Sequence, residues 1–179
     1  MIKIYKYEDV DKNTLFIRDN IPANVEGIVS EIISNVINNG DKALKEYAEK
    51  FDKCILSSLE VTKEEIDEAF AAVEPEFIRV LEMAAQNIRH FHEKQVRNSF
   101  IINEQDGIVT GQKVTPIEKV GLYVPGGTAA YPSTVLMDAI PAKIAGVKNL
   151  VMVTPPNKEG KINPVILASA YVAGVDKIF

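Results

Sequence analysis

Val120-Gly121-Leu122-Tyr123-Val124-Pro125-Gly126-Gly127 decides how the second half of this 179-residue chain is read. Val120 to Val124 is a short apolar run of strand length, and the proline and two glycines after it break regular structure. A helical stretch from Pro132 to Gly146 follows. The next apolar run, Leu150-Val151-Met152-Val153-Thr154, ends in Pro155-Pro156. Asn163-Pro164 then supplies an N-cap and a first-turn proline for a helix from Val165 to Ala173. Gly174 closes that helix, and Val175 to Phe179 starts a third strand. Strands apolar on both faces, separated by helices, predict a parallel sheet with right-handed crossovers, which is half of a doubly wound α/β unit.

Toward the amino terminus the chain changes character. Phe100-Ile101-Ile102 and Ile108-Val109-Thr110 flank Asp106-Gly107, which predicts a hairpin with a loop longer than two residues. Earlier segments read as helices. From Pro22 to Asn39 the residues Ile28, Val29, Ile32, Ile33, Val36 and Ile37 recur at three- and four-residue steps, and Asn39-Gly40 ends the pattern. Asp41 is placed to cap a second helix carrying Leu44, Tyr47, Ala48 and Phe51. Thr62-Lys63-Glu64-Glu65 fits a reciprocal capping box ahead of Ile66, Ala69, Phe70 and Val73. Pro75 suits the first turn of a fourth helix, with Phe77, Leu81, Ala84, Ala85, Ile88 and Phe91 on its buried side. The expected organisation is a helical region over 1–98 and an incomplete α/β unit over 99–179. With no helix after Val175 to Phe179 to cover it, the sheet is expected to be cut short at Phe179, leaving an apolar edge and face.

Composition narrows the function. Apolar residues are 46% and charged residues 25%, the balance of a folding globular chain. A net charge of −5 without a basic stripe argues against nucleic acid as a partner. The start, MIKIYKYEDVDK, lacks a signal-peptide layout, and no apolar run has membrane-spanning length, so the cytoplasm is the expected location. Cys54 is the single cysteine, which excludes an internal disulfide.

The residues Tyr123-Val124-Pro125-Gly126-Gly127-Thr128-Ala129-Ala130-Tyr131-Pro132-Ser133 form the candidate site. They stand where open α/β sheets bind ligands, between the carboxyl end of a parallel strand and a helix amino terminus. Glycines allow close backbone approach, and a helix start favours a phosphate. A plain strand-to-helix turn explains the same glycines. The GxGxxG fingerprint is missing, and Thr154-Pro155-Pro156 offers no acid for a ribose hydroxyl. His90 and His92, at i and i+2 on a helix, do not share a face and read as solvated or structural. Cys54 reads as core filler, and Glu64, Glu65, Asp67 and Glu68 as a solvated helix start.

Val120 to Gly127 together with Pro132-Ser133-Thr134-Val135-Leu136-Met137 and Ile140-Pro141-Ala142-Lys143-Ile144-Ala145-Gly146-Val147 closely resembles the histidinol dehydrogenase family. Gly40-Asp41-Lys42-Ala43-Leu44, Phe51-Asp52, Gly111-Gln112 and Thr154-Pro155-Pro156 extend the resemblance, in order, over essentially the whole chain. It implies incomplete Rossmann-like units, in agreement with the parallel βαβαβ half-sheet. It also implies a zinc-dependent homodimer that oxidises L-histidinol to L-histidine through histidinaldehyde in two NAD-dependent steps. Tyr123 matches the family's NAD-contacting tyrosine, with Pro125, Gly126 and Gly127 beside it. The family's zinc ligands and its catalytic glutamate–histidine pair lie later than this stretch, so no catalytic or metal residue is assigned here and the chain alone is expected to be inactive. The other reading is a noncatalytic α/β module that binds a nucleotide or a partner; a third is a scaffold whose half-sheet only dimerises.

Overall fold

A computed structural model of the chain describes residues 4–11, 25–126 and 130–179. Contacts divide it into two units, Met1–Gly40 and Asp41–Phe179. In the first, a short 3-10 turn at Tyr7–Asp9 precedes helix α1, Glu26–Asn39. The residues before Val25 in the expected Pro22 start lie outside the described residues. The stripe of α1 forms at the expected spacing, yet none of its residues is buried. Gly40 donates its N–H to Val36 O at 2.8 Å, with φ 55° and ψ −136°, a conformation essentially reserved for glycine.

The second unit opens with α2, Asp41–Tyr47, which widens into a π-helical turn, Ala48–Asp52. Asp41 is the first residue of α2, one position inside the expected cap. The buried side is Ala43 and Ala48, while Leu44 and Phe51 stay exposed, Phe51 stacked on Tyr47 at 5.6 Å. Small residues let the turn pack closely where the larger ones would not fit. Helix α3, Lys63–Ala72, starts with the expected capping box: Thr62 Oγ1 accepts from Glu65 N at 3.2 Å, and Glu65 Oε2 accepts from Thr62 N at 2.8 Å. Helix α4, Pro75–Glu93, buries Ile78, Leu81 and Ala85. Its core stripe therefore starts at Ile78; Phe77 lies about 100° round the helix from it and is exposed, as is Phe91.

Strands β1, Phe100–Gln105, and β2, Ile108–Gln112, pair antiparallel across Asp106-Gly107, and Gly107 has φ 78°. The loop is shorter than the sequence suggested, because an irregularity between Ile102 and Gln105 absorbs the extra residue and lets pairing resume at Gln105↔Ile108. Ser99 Oγ accepts from Val114 N at 2.9 Å and closes the base. No residue of the hairpin strands is buried.

The rest is the expected strand–helix alternation: β3 Lys119–Tyr123, α5 Pro132–Ile144, β4 Asn149–Val153, α6 Pro164–Ala173 and β5 Lys177–Ile178. The strands are parallel in the order β3-β4-β5, with Tyr123 opposite Val153 and Met152 opposite Ile178. A sheet that grows in one direction through crossovers of one hand places its helices on one face. Accordingly α5 packs on β3, β4 and α6. Leu122, Val124, Leu150, Met152 and Ile178 meet Val135, Leu136, Ile140, Ile166 and Leu167 in one core. Helix α3 packs on α6, with Phe70 against Tyr171 at 4.9 Å, and α4 packs on α5 and α6, so this core draws on residues from both sides of position 98. Asn163 Oδ1 caps α6 at Val165 N, 2.9 Å, and Gly174 ends it at φ 77°, ψ 38°. Among the described residues no helix is long and apolar enough to cross a membrane.

Candidate functional site

Period-two alternation decides the position of Tyr123. Leu122 and Val124 point into the helix-covered core, so Tyr123 between them points the other way. It is 67% exposed at the carboxyl end of β3, with Val153 opposite and also exposed. Val124 continues the ladder past the strand: its N–H donates to Val153 O at 2.9 Å. Tyr123 is therefore no core residue of this chain. It stands on the open face at a strand end, held from behind by two buried neighbours.

Pro125 is half-buried and Gly126 exposed. A Cβ built on Gly126 would lie 2.6 Å from Pro155 Cγ and 3.2 Å from Pro155 Cδ and O. Glycine at 126 is thus demanded by the loop after β4, whatever else it does. Gly121 is the opposite case, since a Cβ there meets nothing within 4 Å. Gly127 lies outside the described residues. The start of α5 offers fewer free donors than a generic helix: Pro132 has no N–H, and Thr134 N donates to Tyr131 O at 3.1 Å.

The structure brings none of the other candidates to this strand end. His92 Nδ1 is 2.7 Å from Gln95 Oε1, and His90 is exposed on α4. Burial, aided by the Asp52 carboxylate, pushes the Cys54 thiol up, away from nucleophilic character. Glu65 serves the α3 cap, and Asp67 pairs with Lys63. Among the described residues no three His, Cys, Asp or Glu side chains converge as a metal site would require. Sequence reading missed a cleft of about 490 Å³ past the ends of β4 and β5, bordered by Leu56, Glu60, Thr154, Lys161, Leu167 and Phe179. Much of its wall comes from loops at 55–61 and 154–162 that carry no periodic signal, with α3 and the start of α6 behind them. Tyr123, Pro125 and Gly126 do not line it.

Three parallel strands with helices on one face, and turns bearing proline and glycine at their carboxyl ends, define an α/β protein of the Rossmann-like class. The family model for histidinol dehydrogenase matches residues 18–179, and the chain belongs to that family. It is 58% identical to the histidinol dehydrogenase of Clostridium acetobutylicum over 84% of this chain and 35% of that protein. The corresponding figures for Methanosarcina mazei histidinol dehydrogenase are 44%, 99% and 41%. The crystal structure of histidinol dehydrogenase from Elizabethkingia anophelis superposes with a TM-score of 0.83 at 42% identity, over 87% of this chain and 36% of that one. The chain thus spans little more than a third of the length of these relatives.

Proposed function

We propose that this chain forms one wall of the NAD site in a histidinol dehydrogenase, the enzyme that takes L-histidinol to L-histidine through histidinaldehyde. In the first step the carbinol carbon loses a hydride to NAD and its hydroxyl loses a proton. In the second the aldehyde adds water, and the hydrate loses a second hydride to a second NAD and a proton from a hydroxyl, leaving the carboxylic acid. Family membership supports the reaction, and the observation that carries the site is Tyr123, exposed on the open sheet face at the carboxyl end of β3. From there its ring has free area to lie against a cofactor, and its hydroxyl is free to meet a ribose or phosphate oxygen. Pro125, Gly126 and Gly127 border the same position. Zinc, homodimer formation and a cytoplasmic location belong to this reading through the family, and zinc would polarise and hold the substrate when bound. The donor set of the described residues does not fit a metal centre, so no step here is routed through one.

The test is made in the enzyme whose amino-terminal segment this chain supplies. Tyr123→Phe keeps the ring and removes one hydrogen bond, worth about 0.5–1.5 kcal/mol for a neutral pair, so the KM for NAD should rise several-fold while that for histidinol barely changes. Tyr123→Ala should weaken NAD further with little loss of melting temperature, because the ring is not buried. Unchanged NAD affinity in both variants would remove Tyr123 from the site. The chain by itself should form no NADH from histidinol; chelator-sensitive turnover by the pure chain would contradict the division of labour proposed here.

A further inference from the structure

We infer that Pro155, in the loop after β4, is a positioning residue that sets the distance between Tyr123 and the Pro125-Gly126 wall. The inference rests on Tyr123 as a cofactor contact. Two facts separate the parts of this loop that are fixed from the part that can move. Tyr123 pairs with Val153 in the β3–β4 ladder, and the next residue, Val124, is fully buried and donates to Val153 O at 2.9 Å. Tyr123 therefore has little freedom. Past Val124 the chain leaves the ladder, and the contact that meets it is the Pro155 ring, so close that a single added methyl group on Gly126 would stand 2.6 Å from Pro155 Cγ. Ordinary contact begins near 3.4 Å, so an alanine must push the two loops apart by close to an ångström.

Pro155 is itself held in place. Thr154 N donates to Phe179 O at 3.0 Å, and Thr154 is buried, which ties the root of the second loop to β5. The proline ring adds a fixed φ, so the stop against which Gly126 rests is stiff. Movement forced at this contact falls on Pro125-Gly126 and not on Tyr123. The space between the tyrosine ring and the glycine backbone is then set by the loop of the neighbouring strand, a residue that needs no contact with the cofactor.

The experiment is a double-mutant cycle on the same intact enzyme, reading KM for NAD, KM for histidinol, kcat and melting temperature. Gly126→Ala should raise the KM for NAD about tenfold, a loss of about 1.4 kcal/mol in binding, with the KM for histidinol nearly unchanged. Pro155→Ala removes Cγ and Cδ, the side-chain atoms that crowd position 126, and alone should raise the KM for NAD two- to threefold by slackening the stop. Combined, the two should recover most of the NAD affinity lost in Gly126→Ala. Additive losses in the double variant would overturn the inference, as would a Pro155→Ala enzyme with unchanged KM for NAD. Should Gly126→Ala fail to fold, the Pro155→Ala arm still decides. Tyr123→Ala is run alongside: if it leaves NAD affinity intact the cofactor assignment falls, whereas a strong Tyr123→Ala effect without rescue in the cycle sinks the Pro155 role alone.

Discussion

The two faces of the β3-β4-β5 sheet are built from the same strands and both carry apolar residues, yet they differ in what they do for the chain. On one face Leu122, Val124, Leu150, Met152 and Ile178 are packed under α5 and α6. On the other, Gly121, Tyr123 and Val153 are exposed and Val151 is half-covered. Hydrophobic character alone therefore does not say which residue holds this fold together; the parity of its position does. The face that contributes stability is closed, and the face that carries Tyr123 is exposed among the described residues.

The largest effect follows from breaking this parity. Leu150→Ala should cost about 2–5 kcal/mol, because a fully buried side chain leaves both lost transfer energy and a cavity. Val153→Ala, three positions on but on the open face, should cost less than about 0.5 kcal/mol. Urea unfolding of the chain followed by circular dichroism measures both. Equal losses would mean that the open face is covered after all.

Much of this contrast was readable beforehand. The strand–helix alternation from Val120 onward, the Asn163 cap, the Gly174 stop and the Thr62–Glu65 box are local signals, set by side-chain chemistry within a few residues, and each lies where the sequence put it. Apolar runs such as Leu150 to Val153 revealed a parallel sheet but not which face would be open, since both parities of that run are apolar. That choice depends on which side the crossover helices take, a property of the whole unit. The same holds for α4, where Ile78 and not Phe77 begins the buried stripe. The Gly126–Pro155 contact was illegible for another reason: it joins loops 29 positions apart, and nothing in either loop names the other.

A smaller effect is expected at the opposite end of the strands, where Asp176 joins the two crossovers. Its carboxylate accepts from Lys143 Nζ on α5 and from Leu150 N on β4, both at 2.7 Å. Partial burial pushes this carboxyl up, but the Lys143 and Leu150 hydrogen bonds outweigh it and hold the group below the usual carboxylate value. With the folded value depressed, the contribution is present above the unfolded value of about 3.9 and is lost as pH falls through the folded one. The half-exposed ion pair itself is screened and adds less than about 1 kcal/mol. Asp176→Ala also strands the Leu150 N–H, so its total cost near neutral pH should be about 1–2 kcal/mol. Thermal unfolding between pH 7 and 3 checks the sign: the gap between wild type and variant should shrink in acid, and a gap that grows in acid contradicts the assignment.

The smallest effect is the sharpest probe of the open face. Gly121 sits in the middle of β3, outside the positive-φ glycines, opposite Val151, with nothing within 4 Å of where a Cβ would project. Among the described residues no turn, no left-handed backbone and no close neighbour requires a glycine there. Glycine inside a strand weakens it, since it has no side chain to pack and loses more backbone entropy on folding than alanine. In this chain Gly121→Ala should be neutral or raise stability by about 0.4–1 kcal/mol, because alanine lowers the entropy of the unfolded state and meets no clash. Gly126→Ala in the same background should instead destabilise, since its methyl group runs into Pro155. The pair thus separates a glycine that packs against the chain's own loop from one with no neighbour among the described residues. If Gly121→Ala lowered the melting temperature of the isolated chain as much as Gly126→Ala does, the open face would already be in contact with the chain's own residues, and its reading as the free, ligand-bearing side would have to be given up.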